Sequence, residues 1–302
     1  MGAPVPVLDE DAVRRHLSMR DLIPAVERAL VDLSAGRAVQ PVRTVISVAD
    51  HRGFLGVMPA YAGALGAKLV TFFPDNRDVH THHAIVVLFR PETGEPLVIM
   101  DGRLITEMRT GAASAAATKA LARSDASVLA ILGSGVQARS HLEALRLARN
   151  FREVRVWSPR RAKLFAEEFG VRAAGSAEEA VRGADVVVVA TTSKTPVLRG
   201  EWLSPGVHVN AVGASRPDWR ELDDEFLSRA RIFVESREAA SRESGDVIAA
   251  GRIDAEVGEV FAGGSPGRTS AEQITLFKSV GVAVEDLAAA DLVYRAAIRS
   301  PS

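Results

Sequence analysis

The chain has 302 residues, of which 47% are hydrophobic and 25% charged, and its formal net charge is −1. This length suits two domains better than one core, and so balanced a charge gives no reason to expect a nucleic acid or an anionic membrane as partner. The chain contains no cysteine, which excludes disulfides, thiolate catalysis and thiolate metal sites and fits a cytoplasmic setting.

The N-terminal stretch MGAPVPVLDEDAVRRHLSM is neither basic enough nor apolar enough for a signal peptide. Residues 9–35 then carry two helical patterns, with Asp9 and Ser18 as N-caps and Gly36 as the stop. The period changes after that. VRTVISV, GFLGVMPAY, GAKLVTFFP, HAIVVLFR and LVIMDG read as strands of an antiparallel or mixed sheet, with PETGEP as a turn. From about Leu104 the pattern is helical again, through TEMRTGAASAAATKALAR. Residues 127–235 alternate strand and helix. SVLAIL, EVRVWS, ADVVVVAT, VHVNAV and RIFVES are the strands, with a weaker one near VRAAG. Strands this apolar belong in a parallel sheet covered on both faces. The longest of these runs, ADVVVVA, is far shorter than a membrane span. The remainder reads as mostly helical, with a loop at GGSPGRTS and a last helix able to return to the first domain.

The segment ILGSGVQARSHLEAL places Gly133-Ser-Gly135-Val136-Gln137-Ala138 between an apolar strand and a helix. That context makes a weak motif informative. Gly133 can turn tightly, Gly135 lets phosphate oxygens approach, and Ala138 allows close helix–strand packing. Val136, Gln137 and Ala138 open a helix whose free N–H groups suit a pyrophosphate. The alternative is a tight turn without a ligand. At the end of the second strand, WSPRR offers no acid for ribose hydroxyls. Ser158, Arg160 and Arg161 can instead bind a 2′-phosphate, which favours NADPH while leaving NADH possible. Two solvated arginines beginning a helix are the alternative.

The motifs GAKLVTFFP, PETGEPLVIMDG, TEMRTGAASAAATKALAR, ILGSGVQARSHLEAL, VNAVGASRPDWRELDDE, ESGDVIAAG and LFKSVGVAVEDLAAA run in order along nearly the whole chain. Together they resemble the ornithine cyclodeaminase/mu-crystallin family, and within it the mu-crystallin-type ketimine reductases. The resemblance implies an α/β chain with a Rossmann dinucleotide-binding domain over residues 118–281. It also implies a split α+β substrate-binding and dimerisation domain, residues 1–117 with 282–302, and a homodimer joined through the non-Rossmann sheet.

The resemblance also implies three basic residues around a substrate carboxylate: Arg43, Lys68 and Arg109. Lys68 interrupts an apolar strand, where a buried ammonium needs a partner. That partner is an anionic substrate, a fixed salt bridge, or water reached by snorkelling. Thr110 is expected to turn toward the pyrophosphate. Thr191, Ser193 and Val212 follow apolar strands, where ligands bind in open α/β sheets, although each also suits an ordinary turn.

Ornithine cyclodeaminases and the related alanine dehydrogenase carry an aspartate after the VG of this loop, whereas here Ser215 takes its place. A serine is a poor base for oxidative deamination. A cyclic ketimine arrives already electrophilic, so Ser215 favours reduction of Δ1-pyrroline-2-carboxylate or Δ1-piperideine-2-carboxylate. An ornithine cyclodeaminase, an alanine or other amino-acid dehydrogenase and a non-catalytic ligand-binding protein are the alternatives. His80, His82 and His83 lack the acidic partners of a metal site, and strand alternation puts His80 and His82 on one face with His83 on the other. His141 reads as structural. Lys278 either meets the substrate or satisfies an internal carboxylate.

Overall fold

The computed structural model describes residues 4–299. In chain order the first elements are β1 (Val7–Leu8), α1 (Glu10–His16), α2 (Met19–Ser34), β2 (Thr44–Val48), β3 (Gly53–Ala62), β4 (Ala64–Phe72), β5 (His82–Phe89), β6 (Pro96–Asp101) and α3 (Arg103–Leu121). Alternating strand and helix follow. These are β7 (Val128–Leu132), α4 (Val136–Ala148), β8 (Glu153–Trp157), α5 (Ala162–Phe169), β9 (Arg172–Ala173), α6 (Ala177–Val181), β10 (Val186–Val189) and β11 (His208–Ala211). The chain then forms α7 (Asp224–Arg229), β12 (Arg231–Val234), α8 (Arg237–Glu243), α9 (Gly245–Ala250), β13 (Ala255–Glu256), α10 (Val257–Phe261), β14 (Thr275–Lys278) and α11 (Ala283–Arg299).

Two compact units result: Met1–Arg109 with Val282–Ser302, and Thr110–Gly281. The first boundary falls after Arg109 rather than after residue 117, and both positions lie within α3. The helix is continuous there, so its periodicity carries no mark of the division.

In the first unit Asp9 accepts the Ala12 N–H at 2.8 Å and Ser18 accepts the Asp21 N–H at 3.2 Å, which fixes the starts of α1 and α2. The sheet order is β1-β6-β5-β4-β3-β2. Strands β2 to β6 form an antiparallel meander, and β1 adds parallel to β6. Alternation gives the sheet two unlike faces. Met58, Lys68, Val70, Val86 and Met100 are buried on one, where α11 packs over β3, β4 and β5 and against α2. Leu55, Val57, Leu69, Val87 and Ile99 are only half-buried on the other, and Ile85 there is exposed.

The second unit is an all-parallel sheet in the order β13-β12-β14-β11-β10-β7-β8-β9. The four valines of β10 are fully buried, consistent with helices covering both faces. Strand order reverses on either side of β7, so a switch point lies between β7 and β10, where this class of sheet binds ligands. The C-terminal part is mostly helical as expected, but strand β14 is missing from the sequence reading. It runs through the sheet interior between β12 and β11, but four residues ending in a lysine give too short a pattern to distinguish from a loop or helix turn.

Candidate active site

The first unit gathers its charges on the helix-covered face of the sheet. Lys68 projects from β4 opposite Met58 and Val86, and is only 2% exposed. Its Nζ lies 2.6 Å from Asp286 Oδ2. Arg109, in the interior of α3, donates through Nε to Asp286 Oδ1 at 3.0 Å and through Nη1 to Glu285 Oε2 at 2.8 Å. Both acids lie in the first turn of α11 and are fully buried. Arg43, immediately before β2 and half-buried, contributes a further positive charge that is felt at Lys68.

These contacts set the protonation states. Burial pushes the Lys68 ammonium down to about 8; Asp286 opposes the shift, while Arg109 and Arg43 reinforce it. Burial pushes the Asp286 carboxyl up, but Lys68 and Arg109 together outweigh it and hold the group below the usual range. His82, at the start of β5, is pushed down to about 4 by burial and then by Lys68 and Arg109. Its imidazole is therefore neutral at pH 7.

Of the partners considered for Lys68, the structure supplies the fixed salt bridge. Asp286 already bridges Lys68 and Arg109 with its two oxygens, much as a ligand carboxylate would. Glu285 and Asp286 are missing from the sequence reading. Their signal is a pair of adjacent acids inside the apolar run VGVAVEDLAAA, where buried carboxylates require cations. The histidines also differ from expectation. His80 precedes the strand, so alternation does not govern it, and its ring centroid lies 6.0 Å from that of His83.

In the second unit Gly133 has φ +124°, and a Cβ there would lie 2.3 Å from the Ala190 carbonyl oxygen. Only glycine fits both the conformation and the contact. Gly135 caps α4 without a side-chain hydrogen bond, and the space where its Cβ would stand is open. Val136 and Gln137 thus begin a helix whose first N–H groups face an approachable turn, and Ala138 is fully buried beneath it. These features fit a dinucleotide pyrophosphate. Ser134 and Ser158 share a hydroxyl–hydroxyl bond of 2.8 Å across the turn. Ser158 also accepts the Arg161 N–H at 3.2 Å, and the Arg160 and Arg161 side chains are exposed beside it.

Helix α3 packs closely on α4. Thr110 is buried, and a Cβ on Gly111 would lie 2.6 Å from Ser140 Oγ. His141 donates from Nδ1 to the Gln137 carbonyl at 2.7 Å, which leaves Nε2 to accept the Ser114 hydroxyl at 2.9 Å.

The residues after β10 and β11 are more committed than the sequence suggests. The Thr191 hydroxyl donates to Glu221 Oε1 at 2.7 Å, and the Ser193 hydroxyl donates to the Thr195 carbonyl at 2.6 Å. Val212 is half-buried, its N–H donating to the Val189 carbonyl at 2.9 Å. Ser215 is half-buried, and its hydroxyl makes no hydrogen bond among the described residues. Lys278 is fully buried, with Nζ 3.1 Å from Asp246 Oδ2, so it satisfies an internal carboxylate.

Comparison with known proteins agrees with this arrangement. The chain is 52% identical to the ketimine reductase mu-crystallin of Rattus norvegicus, over 95% of this chain and 96% of that one. It is 40% identical, with a TM-score of 0.93 and 98% of each chain covered, to Δ1-pyrroline-2-carboxylate reductase of Thermococcus litoralis in complex with NADH and L-proline. An archaeal alanine dehydrogenase dimer with bound NAD is 38% identical, at a TM-score of 0.93 over 98% of this chain and 96% of that one. The family profile itself matches residues 6–300, and the chain belongs to the ornithine cyclodeaminase/mu-crystallin family.

Proposed function

We propose that this protein is an NAD(P)H-dependent ketimine reductase that converts cyclic ketimine carboxylates, Δ1-pyrroline-2-carboxylate or Δ1-piperideine-2-carboxylate, to the cyclic L-amino acids. The buried cation group formed by Lys68 and Arg109, with Arg43 beside it, carries the reading. Low exposure strengthens each charge there, and a planar carboxylate matches the arginine fork. The similarity to a mu-crystallin ketimine reductase and to a pyrroline-2-carboxylate reductase supports the same substrate class.

The residues divide the work. Lys68, Arg109 and Arg43 take the carboxylate and so fix the ring, which is catalysis chiefly by positioning. Gly133, Gly135, Val136, Gln137 and Ala138 hold the pyrophosphate, with Thr110 nearby in sequence register on α3. Ser158, Arg160 and Arg161 take a 2′-phosphate, so NADPH is preferred over NADH. Thr191, Ser193 and Val212 border the ribose and nicotinamide. A reduced nicotinamide, when bound, would supply a hydride to C2 of the protonated C=N bond, whose nitrogen would keep its proton. Ser215 orients the iminium nitrogen or a water, a task that asks for no strong base.

The subunit acts as a homodimer. The half-buried apolar sheet face of Leu55, Val57, Leu69, Val87 and Ile99, with exposed Ile85, supports this, as does the dimeric archaeal relative. None of the described helices is long and apolar enough to cross a membrane.

The test is a cofactor-oxidation assay with both imines and both reduced cofactors, run beside NADP⁺ or NAD⁺ with ornithine or alanine. Imine-dependent oxidation of NADPH, faster than of NADH, is expected. Turnover confined to the open-chain amino acids would replace this reading with the dehydrogenase or cyclodeaminase one. Tight cofactor binding without any turnover would favour a ligand-binding protein.

A further inference from the structure

Glu221 is a fully buried carboxylate outside every role assigned above. It accepts from Thr191 N–H at 2.9 Å and the Thr191 hydroxyl at 2.7 Å, in the loop after β10. It also accepts from Gly213 N–H at 2.7 Å and Ala214 N–H at 3.0 Å, in the loop after β11. One side chain therefore ties together the ends of two neighbouring strands. The approach is so close that a Cβ on Gly213 would lie 2.3 Å from Glu221 Oε1 and 2.2 Å from the Thr191 carbonyl oxygen.

Glu221 is itself held from behind. Asp246 Oδ1 accepts the N–H groups of Glu221 at 3.0 Å and Leu222 at 3.1 Å. Lys278 Nζ, at the end of β14, stands 3.1 Å from Asp246 Oδ2 and 4.0 Å from Glu221 Oε2. All three ionisable groups are fully buried. A buried network of this kind is a costly way to stabilise a fold compared with apolar packing, whereas directional acceptors define one arrangement of a loop. Ser215 follows Ala214 directly, and Val212 precedes Gly213.

We propose that Glu221, held by Asp246 and Lys278, is a positioning residue that locks the loops after β10 and β11, and with them Thr191, Val212 and Ser215, in the arrangement that serves the nicotinamide end of the cofactor. The inference rests on the ketimine-reductase reading for its kinetic consequence, but not for its structural one.

Glutamine at position 221 keeps the size of the side chain but turns an amide NH₂ toward backbone N–H donors. In the full-length Glu221→Gln protein, the amides of Thr191, Gly213 and Ala214 should lose hydrogen-exchange protection. The emission of bound NADPH should shift, because the nicotinamide environment changes. NADPH affinity should fall less than about threefold, since the phosphate grips remain, while kcat falls about 10- to 100-fold with little change in the imine KM. Lys278→Met should move the same quantities in the same direction, and it is the variant to read if Glu221→Gln does not fold. Unchanged kcat and unchanged NADPH emission in a folded variant would reduce Glu221 to a structural brace and overturn the proposal. If the wild-type protein binds NADPH but reduces no cyclic imine, the functional reading fails alone, and exchange and emission still decide the role of Glu221. A wild-type protein that binds no NADPH overturns both.

Discussion

Lys68 shows how burial turns a lysine into a titrating anchor. In the folded protein its ammonium loses a proton near pH 8, well below its ordinary value of 10.5. The charge needed to hold a carboxylate is therefore present below about pH 8 and disappears as pH rises through it. We expect kcat/KM for the imine to fall above that point. Asp286 supports the charged form, so Asp286→Asn should move the fall to lower pH, whereas the substrate's own titration is common to both proteins. Identical pH profiles for wild type and variant would remove Lys68 from carboxylate binding. Lys68 was legible in the sequence because a cation inside GAKLVTFF breaks an apolar run. Its acidic partner was not, since Asp286 lies more than two hundred positions away and sequence spacing says nothing about which buried charges meet.

At the scale of elements, α3 depends on small residues where it meets α4. A methyl group at Gly111 would stand 2.8 Å from the Ser140 carbonyl oxygen as well as 2.6 Å from its hydroxyl. The backbone oxygen cannot swing aside as a side chain would, so Gly111→Ala should cost about 1–3 kcal/mol by overpacking. Urea unfolding would show this as a lowered midpoint, and an unchanged midpoint would mean that the helices separate freely. Long periodic segments such as α2, α3 and α4 were readable from the sequence, as were their caps at Asp9 and Ser18, because local rules govern them. Strand β14 was not, since its position in the sheet comes from parallel neighbours on both sides. The reading of His80 failed for a related reason. Alternation holds only within a strand, and β5 begins at His82.

For the whole molecule, the alternation of apolar strands with helices after residue 127 made the parallel sheet legible, and the motif order gave the split domain its outline. Assembly is harder to read, because half-exposed residues such as Leu69 and Val87 look like core in a sequence. Sedimentation velocity at micromolar concentration should give the mass of a dimer. Ile85→Glu should shift it to a monomer by placing a charge on the apolar sheet face. A wild-type monomer under those conditions would refute the pairing.

The charged cluster under α11 carries a consequence for which molecules it will admit. Asp286 and Glu285 hold the Lys68 ammonium and the Arg109 guanidinium in fixed positions before any guest arrives. A guest carboxylate therefore meets donors that need little further ordering, and a carboxylate carried on a closed ring matches them with fewer torsions to freeze than one on a freely turning chain. The cluster thus prefers guests that have already cyclised.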